Sequence, residues 1–260
     1  MILGPDTPAV ITGAASGLGA AAARLFAAHG VKVGVLDRHA EPGEALAAEL
    51  DGQFVPCDVT SDADVARALA ACAAEHGPAR IALACAGVAP ARKLVARDRE
   101  TGLPLPHETE LFVHTVAVNL TGTFRLFALA GAAMATLPPL LGGERGVLVA
   151  TASIAAEDGQ IGQAAYAASK AGVVGMILPI ARDLAELGIR CCAIMPGLFD
   201  TAMLAALPAE MRATLESRVP FPSRLGDPHE FAALVAHIVE NPMLNGTAIR
   251  LDGALRMPPR

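Results

Sequence analysis

Short apolar runs alternate with longer segments of helical periodicity along almost the whole chain. The apolar runs lie at residues 9–12, 31–36, 53–56, 81–84, 146–151, 189–194 and 248–251. They contain few polar positions, which is typical of strands covered on both faces of a parallel sheet. We therefore predict seven buried parallel strands.

Between these runs, the pattern predicts helices over residues 18–29, 42–50, 62–76, 108–136, 164–187 and 228–240. The last helix has the clearest start signal, because Asp227 can cap it, Pro228 suits its first turn and Glu230 stands three residues after the cap. The alternation predicts an α/β fold with a Rossmann-type, doubly wound parallel sheet of about seven strands flanked by helices. No repeat or linker divides the chain, so we expect one domain over residues 1–260.

Two segments interrupt the alternation. Residues 88–107 contain three prolines and are predicted to be irregular, and residues 196–224 follow a strand and surround a short helix. Long loops in a compact α/β domain are usually functional or disordered, and ligands bind beyond the carboxyl ends of the strands. The segment 196–224 is the predicted substrate loop.

Composition and charge exclude several classes of protein. The chain is 53% hydrophobic with a net charge of −6, which argues against disorder and against a nucleic-acid-binding face. Apolar runs such as residues 171–181 are interrupted by glycine and proline and fall short of the roughly 20 residues of a membrane helix. The five cysteines lack zinc-site spacing, and no metal site is predicted. With no signal-like leader, we expect reduced thiols and a soluble, cytoplasmic protein.

A glycine-rich turn follows the first strand. Gly13, Gly17 and Gly19 form a GxxxGxG pattern that leads directly into a helix. Such glycines allow a tight turn and close approach to a pyrophosphate, which the free N–H groups of the helix N-terminus would bind. Glycine clusters also make ordinary turns, so the pattern alone is weak.

Asp37 ends the second strand, eighteen residues after Gly19. A carboxylate at this place can accept hydrogen bonds from both ribose hydroxyls and repels a 2′-phosphate, which favours NAD over NADP. Arg38 could instead bind that phosphate. The alternative for Asp37 is an ordinary acidic residue at a strand end.

The next two strand ends are further candidates for cofactor contact. Asp58 and Val59 could contact the adenine edge, although Asp58 could equally cap the helix that follows. The small residues in Cys85–Gly87 would let the backbone lie against a cofactor, and a plain turn is the alternative.

Ser153, Tyr166 and Lys170 carry the predicted chemistry. Ser153 ends the fifth strand, and the four-residue spacing of Tyr166 and Lys170 puts phenol and ammonium on one helical face. A neighbouring ammonium and an oxidised nicotinamide would lower the pKa of the phenol, which could then exchange a proton with a substrate oxygen that Ser153 orients. Any helix can carry a tyrosine and a lysine, but Tyr166 is the only tyrosine in the chain.

Together these motifs resemble the short-chain dehydrogenase/reductase family. The resemblance covers the whole chain and rests on Thr12–Gly19, Asp37, Cys85–Gly87, Asn119, Ser153, Tyr166-x-x-x-Lys170 and Pro196-Gly197. It implies the roles given above for the serine, tyrosine and lysine. It also implies that Asn119 holds a water in a proton relay that ends at Lys170, whereas the pattern alone would place Asn119 on a helix surface.

Residues 159–166, 178–184, 196–199, 219–228 and 245–254 resemble more closely the type II 3-hydroxyacyl-CoA dehydrogenases, also called 17β-hydroxysteroid dehydrogenases type 10. This resemblance implies an NAD-dependent homotetramer that interconverts 3-hydroxyacyl-CoA and 3-oxoacyl-CoA. The implied cofactor contacts are Gly13, Ser16, Gly17, Leu18, Gly19, Asp37, Asp58, Val59, Cys85, Ala86, Gly87, Tyr166, Lys170, Pro196, Gly197, Phe199 and Thr201. The implied substrate contacts are Ser153, Gln163 and Tyr166.

Other functions stay open on the same scaffold. The substrate could be a steroid, a polyol or a 3-oxoacyl-carrier protein, and a non-catalytic nucleotide-binding scaffold is a further alternative. Three features depart from the family pattern: Ala84 replaces an asparagine, Asp200 adds a charge near the predicted nicotinamide end, and residues 88–107 differ most. The basic residues of that segment (Arg92, Lys93, Arg97) could bind coenzyme A phosphates or could simply be solvated beside nearby acidic residues.

Overall fold

The computed structural model describes residues 1–201 and 209–259. Its strands are β1 (Ala9–Thr12), β2 (Val33–Asp37), β3 (Gln53–Pro56), β4 (Ile81–Ala84), β5 (Val95–Arg97), β6 (Pro104–Pro106), β7 (Gly146–Thr151), β8 (Ile189–Pro196) and β9 (Ala248–Leu251). Seven of them form one parallel sheet in the order β3-β2-β1-β4-β7-β8-β9. This Rossmann-type order confirms the predicted fold, and the reversal of strand order beside β1 places a crevice at the carboxyl ends of β1 and β4.

The helices are α1 (Gly17–Ala28), α2 (Ala40–Leu50), α3 (Asp62–His76), α4 (Thr109–Val116), α5 (Gly122–Ala135), α6 (Ala164–Asp183), α7 (Ala209–Glu216) and α8 (Pro228–Glu240). A π-helical turn, Ala117–Thr121, joins α4 to α5, so the helix predicted over residues 108–136 is continuous but contains an irregularity that the pattern did not predict. The capping box predicted for α8 is confirmed, with Glu230 accepting a hydrogen bond from the Asp227 amide at 2.7 Å.

Two hydrophobic layers cover the sheet. On one face, α1 and α8 pack together over the sheet through residues such as Phe26 and Phe231. On the other face, α3, α5 and α6 bury residues such as Phe127 and Ile177. Because both faces are covered, the strands can be almost entirely apolar, as the sequence pattern indicated.

The segment 88–107 is more regular than predicted. Strands β5 and β6 form an antiparallel hairpin in which Val95 pairs with Pro106 and Arg97 with Pro104. Proline has no N–H to donate, but it is tolerated on the edge strand of a small ribbon. The hairpin is preceded by a backbone hydrogen bond from the Arg92 amide to the Gly162 carbonyl at 2.8 Å, which ties this segment to the loop before α6.

Two helical stretches, Thr109–Ala135 and Ala164–Asp183, are long and apolar enough to cross a membrane by length and composition, with mean hydropathy of 1.3 and 1.4. The expectation that no apolar stretch reaches that length was therefore wrong. Both stretches pack against the sheet, where Leu126 and Ile177 are almost fully buried. Part of their apolar composition follows from this place in the core, although less than half of each apolar window is buried.

All five cysteines are free, as predicted. Cys57, Cys72, Cys191 and Cys192 are buried and Cys85 is partly buried. Within residues 1–201 and 209–259, no three His, Cys, Asp or Glu side chains are grouped so that they could hold a metal ion.

Candidate active site

The glycine-rich turn between β1 and α1 leaves no room for a side chain at Gly13 or at Gly19. Gly13 has a φ of +66°, and a Cβ at this position would lie 2.5 Å from the Ala86 amide nitrogen. A Cβ on Gly19 would lie 2.4 Å from the Gly13 carbonyl oxygen. Ser16 caps α1 without a side-chain hydrogen bond, so the first amide groups of the helix face the crevice without a local acceptor. A turn of this shape fits the pyrophosphate of a dinucleotide.

Asp37 lies at the end of β2, where only 8% of its surface is exposed. One carboxylate oxygen, Oδ2, accepts a hydrogen bond from the Ala15 amide at 3.1 Å. The other, Oδ1, accepts from the His39 amide at 3.0 Å and lies 2.9 Å from Nδ1 of the His39 ring. The side chain therefore ties the strand end to the glycine-rich turn.

A cleft of about 350 Å³ runs over this turn. Among the predicted cofactor contacts, its lining includes Gly13, Ser16, Gly17, Leu18, Gly19, Asp37, Asp58, Val59, Cys85, Ala86, Gly87 and Thr201. Arg38, His39 and Cys57 also line it. The structure thus brings together the predicted nucleotide contacts of four strand ends.

The alternative role predicted for Asp58 is wrong. Ser61, not Asp58, caps α3 and accepts a hydrogen bond from the Asp64 amide. Asp58 instead accepts two hydrogen bonds from Thr60, through its amide and its hydroxyl, and these hold the pKa of the Asp58 carboxyl below its ordinary value. The carboxylate is exposed at the mouth of the cleft.

Cys85 lies where the β4 end faces β7. Its Sγ is 3.1 Å from Oγ1 of Thr151, and its amide donates a hydrogen bond to the Thr12 carbonyl at 3.0 Å. Burial raises the pKa of the Cys85 thiol to about 11. The thiol is therefore protonated at neutral pH and is a poor nucleophile.

Lys170 reaches from α6 to the end of β7. Its Nζ donates a hydrogen bond to the Thr151 carbonyl at 2.7 Å, and only 5% of the residue is exposed. Burial lowers the pKa of Lys170 to about 8, while the nearby Cys85 has the opposite, smaller effect. Nζ lies 5.8 Å from the centre of the Tyr166 ring, so ammonium and phenol share one face of the helix as predicted.

Tyr166 is partly exposed to the cleft. Burial of its phenol raises the pKa of Tyr166 above its ordinary value, and a hydrogen bond with the Ser153 side chain offsets part of this effect. The lowered pKa expected from the sequence included the charge of an oxidised nicotinamide as well as that of Lys170, and it stays a prediction. Protein groups alone therefore do not lower the pKa of Tyr166, because the Ser153 hydrogen bond does not compensate for the loss of solvent around the phenol.

Ser153 caps a short 3₁₀ turn, Ile154–Ala156, immediately after β7. Its Oγ accepts a hydrogen bond from the Ala155 amide at 3.1 Å. A hydroxyl that already accepts from the backbone has its own proton available to donate. The position beside Tyr166 is the one that the sequence predicted.

Asn119 is completely buried in the π-helical turn and is not on a helix surface. Its Oδ1 accepts a hydrogen bond from the Val88 amide at 2.8 Å, and its Nδ2 donates one to the Val88 carbonyl at 2.8 Å. Nδ2 also donates to Oγ of Ser169 at 3.0 Å. The side chain thus fixes the loop after β4 against α6, beside Gly87.

A second cleft contains the predicted chemical groups. Its lining includes Ser153, Gln163, Tyr166, Lys170, Pro196, Gly197, Leu198, Phe199, Thr201, Leu215 and Met257. It shares Leu18, Cys85, Gly87, Val88, Thr151 and Thr201 with the cleft over the glycine-rich turn. The two clefts therefore meet at the carboxyl ends of β4 and β7. The middle of the predicted substrate loop, residues 202–208, lies outside the described residues.

A family model described as short chain dehydrogenase matches residues 7–212 of the sequence. The chain belongs to this family. Short-chain dehydrogenases are oxidoreductases, so the junction of the two clefts is the candidate active site, and the family implies a nicotinamide cofactor.

Named relatives within the short-chain dehydrogenases cover nearly the whole chain. The chain is 50% identical over 253 residues to "3-hydroxyacyl-CoA dehydrogenase type-2" from Homo sapiens, covering 96% of this chain and 95% of that protein. It is 34% identical over 252 residues to "Ipsdienol dehydrogenase" from Ips pini, covering 96% and 97%. The crystal structure of 3-hydroxyacyl-CoA dehydrogenase type-2 from Mycobacterium avium superposes with a TM-score of 0.92 at 41% identity, covering 98% of this chain and 97% of that one.

Several residues at this short-chain dehydrogenase site were not predicted from the sequence. Thr151 receives the Lys170 hydrogen bond through its carbonyl, and Ser169 bonds to Asn119. Met257 lines the second cleft from the C-terminal tail. Among these residues, only Thr151 had a feature in the sequence that could have indicated a place at the site, namely its position at the end of a strand. Asp200, predicted near the nicotinamide end, forms an ion pair with Arg212 at 2.6 Å and does not line either of the two clefts.

Proposed function

We propose that this short-chain dehydrogenase interconverts 3-hydroxyacyl-CoA and 3-oxoacyl-CoA with NAD as cofactor. The observation that carries the proposal is the junction of the two clefts, where a dinucleotide-shaped turn leads to Ser153, Tyr166 and Lys170. The names of the human and Mycobacterium avium relatives support the acyl-CoA substrate. A nucleotide-binding scaffold without catalysis would not need this set of side chains.

Tyr166 is the proposed proton donor to the substrate oxygen. The bound nicotinamide supplies or accepts a hydride at the substrate carbon. Because burial raises the pKa of Tyr166, the phenol holds its proton at neutral pH and can deliver it when a carbonyl is reduced. Ser153 orients that oxygen by donating the proton that its Ala155 contact leaves available.

Lys170 is proposed to take part both in proton transfer and in binding of the cofactor. With a pKa of about 8, it is mostly charged at neutral pH and can also exchange a proton, so it can serve in a relay to solvent. Its hydrogen bond to Thr151 fixes Nζ near Gly87, at the junction of the clefts. Asn119 contributes by holding Val88 and by shaping the π-helical turn beside Lys170, and its role in a water relay remains a prediction.

NAD is proposed as the main cofactor because of Asp37. The carboxylate faces the cleft from a nearly buried position, and the Ala15 and His39 donors leave it acceptor capacity for a ribose hydroxyl. The charge of Asp37 also disfavours a 2′-phosphate.

The coenzyme A hypothesis for the segment 88–107 has mixed support. Arg92 forms an ion pair with Glu108 at 2.9 Å, and Arg97 donates to the Gly102 carbonyl within its own hairpin. These contacts favour the alternative of a solvated, locally balanced segment. Lys93 is exposed and stays a candidate for phosphate contact.

The homotetramer is part of the proposal. Phe112, Val113 and Phe124 are large apolar side chains exposed on α4 and α5, which is unusual for an isolated monomer and suits helix packing between subunits. Light scattering on the purified protein tests the assembly. The cytoplasmic location stays a prediction.

The direct experiment is NADH oxidation with acetoacetyl-CoA, repeated with free acetoacetate and a ketosteroid. We expect kcat/KM to be highest for the CoA thioester. Turnover of the steroid alone would support the steroid alternative, and binding of NADH without turnover of any ketone would support the scaffold alternative.

A further inference from the structure

Helix α7 lies beside the second cleft without a buried face of its own. Its residue Leu215 lines that cleft. Every residue of α7 from position 210 to position 216 is exposed or partly exposed. Most of the stability of a protein helix comes from packing of a buried apolar face, so the position of α7 must depend on other contacts.

Arg212 joins α7 to the segment that follows β8. Its Nη2 donates a hydrogen bond to Oδ2 of Asp200 at 2.6 Å, and its Nε donates to Oε1 of Glu216 at 3.1 Å, one turn further along the same helix. Hydrogen bonds between two charged groups are short and stronger than neutral ones. The Arg212 and Asp200 side chains are only 32% and 42% exposed, so solvent screens this ion pair in part.

Asp200 is fixed to the framework of the site. Its amide donates a hydrogen bond to the Gly226 carbonyl at 2.8 Å, and the Gly226 amide donates to the Leu198 carbonyl at 2.8 Å. The residues on either side of it, Phe199 and Thr201, both line the second cleft. The carboxylate is therefore a fixed anchor beside the cleft, to which the ion pair attaches α7.

We propose that Arg212 is a positioning residue whose ion pair with Asp200 holds α7 beside the second cleft and so holds Leu215 against the substrate. The inference rests on the proposed function and adds a determinant of substrate affinity to it. Arg212 and Leu215 are three residues apart and lie on one face of the helix, so a shift of α7 moves both. Loss of the ion pair therefore weakens substrate binding and leaves proton transfer by Tyr166 unchanged.

Hydrogen exchange tests whether the ion pair holds α7, without any substrate. In Arg212→Gln and in Asp200→Asn, the amides of α7 should exchange roughly threefold to fivefold faster than in the wild type, the upper part of the range for exposed ion pairs. The matched control is Glu216→Gln, which removes the other partner of Arg212 but leaves the bond to Asp200. Its effect should stay below about twofold, as for other pairs within one helix. Unchanged exchange in the first two variants would overturn the inference.

Steady-state kinetics test the link between α7 and the substrate. With acetoacetyl-CoA and NADH, Arg212→Gln and Asp200→Asn should each raise KM for the thioester by roughly threefold to fivefold, while kcat and KM for NADH stay within about twofold. The double variant should be no worse than either single variant, because both substitutions remove the same interaction. Additive increases in KM, or a fall in kcat with unchanged KM, would contradict the positioning role.

Failure of the inference differs from failure of the proposed function. If α7 exchanges faster in the variants but KM for the thioester is unchanged, α7 does not position a substrate contact and the inference is overturned. If the wild type does not reduce acetoacetyl-CoA, the proposed substrate fails, and the exchange rates still decide whether Arg212 holds α7.

Discussion

The ammonium group of Lys170 is held by the Thr151 carbonyl at 2.7 Å, a contact that joins α6 to the end of β7. In the residues that the structure describes, no carboxylate forms an ion pair with this ammonium. Its charge is therefore buried without an opposite charge, which is the reason that the pKa of Lys170 falls to about 8. The buried charge of Lys170 therefore lowers the free energy of unfolding.

Replacing Lys170 with Met should stabilise the fold at neutral pH. The folded-state pKa is about 8 and lies below the ordinary value of 10.5, so the unfolded chain binds more protons between these values and wild-type stability rises with pH across this window. Lys170→Met removes a penalty on the order of 3 kcal/mol and loses a hydrogen bond of about 1 kcal/mol, which leaves a gain of about 2 kcal/mol at pH 7. Denaturant unfolding at about pH 7 and about pH 10 measures the difference, which should shrink at the higher pH.

The control for this prediction is Lys170→Arg, which keeps its charge throughout the range and should give no gain. A Lys170→Met protein that is less stable than the wild type at pH 7 would contradict the argument. Both variants are expected to lose most of their turnover.

Tyr166→Phe should separate binding from proton transfer. The substitution removes only the hydroxyl, so the ring still fills its place on α6. We expect kcat to fall by about 10²- to 10⁴-fold, the usual contribution of a positioned acid, while NADH affinity stays within about twofold. Steady-state kinetics and NADH fluorescence titration give the two quantities, and wild-type kcat in the variant would refute the assigned role.

Asn119→Ala should destabilise the fold through the loop after β4. It leaves the N–H and the C=O of Val88 without their partners, which should lower the free energy of unfolding by about 2–4 kcal/mol. Ser169→Ala is the matched comparison, since it removes one partner of the Asn119 amide but leaves both bonds to Val88. We expect a loss of about 1 kcal/mol for it, and equal losses in the two variants would show that the Val88 contacts contribute little.

Arg250 connects the C-terminal tail to the turn that follows Ser153. Its guanidinium contacts Glu157, Asp158 and Asp252, and the last two carboxylates are nearly buried. Arg250→Met leaves Asp158 unpaired and leaves Asp252 with only the exposed Arg256 as a partner, and it should cost about 3–5 kcal/mol in denaturant unfolding. It should also raise KM for the acyl-CoA more than for NADH, because Met257 of the same tail lines the second cleft.

Arg256→Met provides the control for Arg250. It contacts the same Asp252 at 3.2 Å, but its side chain is 64% exposed. We expect a change below about 1 kcal/mol, as for other exposed pairs. If both variants lose the same free energy of unfolding, then burial of the Arg250 ion pairs does not explain their contribution to stability.

The sheet and its ligand-binding edge could be predicted from the sequence because the patterns that produce them each lie within a short segment of the chain. Burial of both faces requires apolar strands, and the strand at Ile81–Ala84 was predicted at its observed bounds. The glycines before α1 and the helical spacing of Tyr166 and Lys170 are likewise visible within a few residues. The predicted site residues within the described chain do meet at one crevice, with Asn119 directly behind it.

The features that sequence reasoning missed depend on contacts between distant segments. Nothing near Asn119 indicates a π-helical turn, because its amide is bound by Val88, 31 residues earlier in the chain. Pro104 and Pro106 predicted irregular backbone, and only the pairing with β5 reveals a hairpin. The effect of burial on the pKa of Tyr166 is also not visible in the sequence, since desolvation depends on everything packed around the phenol.

Tyr166 is the only tyrosine, and the chain has no tryptophan. At the tyrosine absorption band, where phenylalanine absorbs little, the absorbance of the protein therefore comes from the phenol that is proposed to transfer the proton. In the free protein, ionisation of that single group can be followed as a change in absorbance without labels. This protein consequently carries its own optical indicator at the candidate active site, at the atom where the chemistry is proposed.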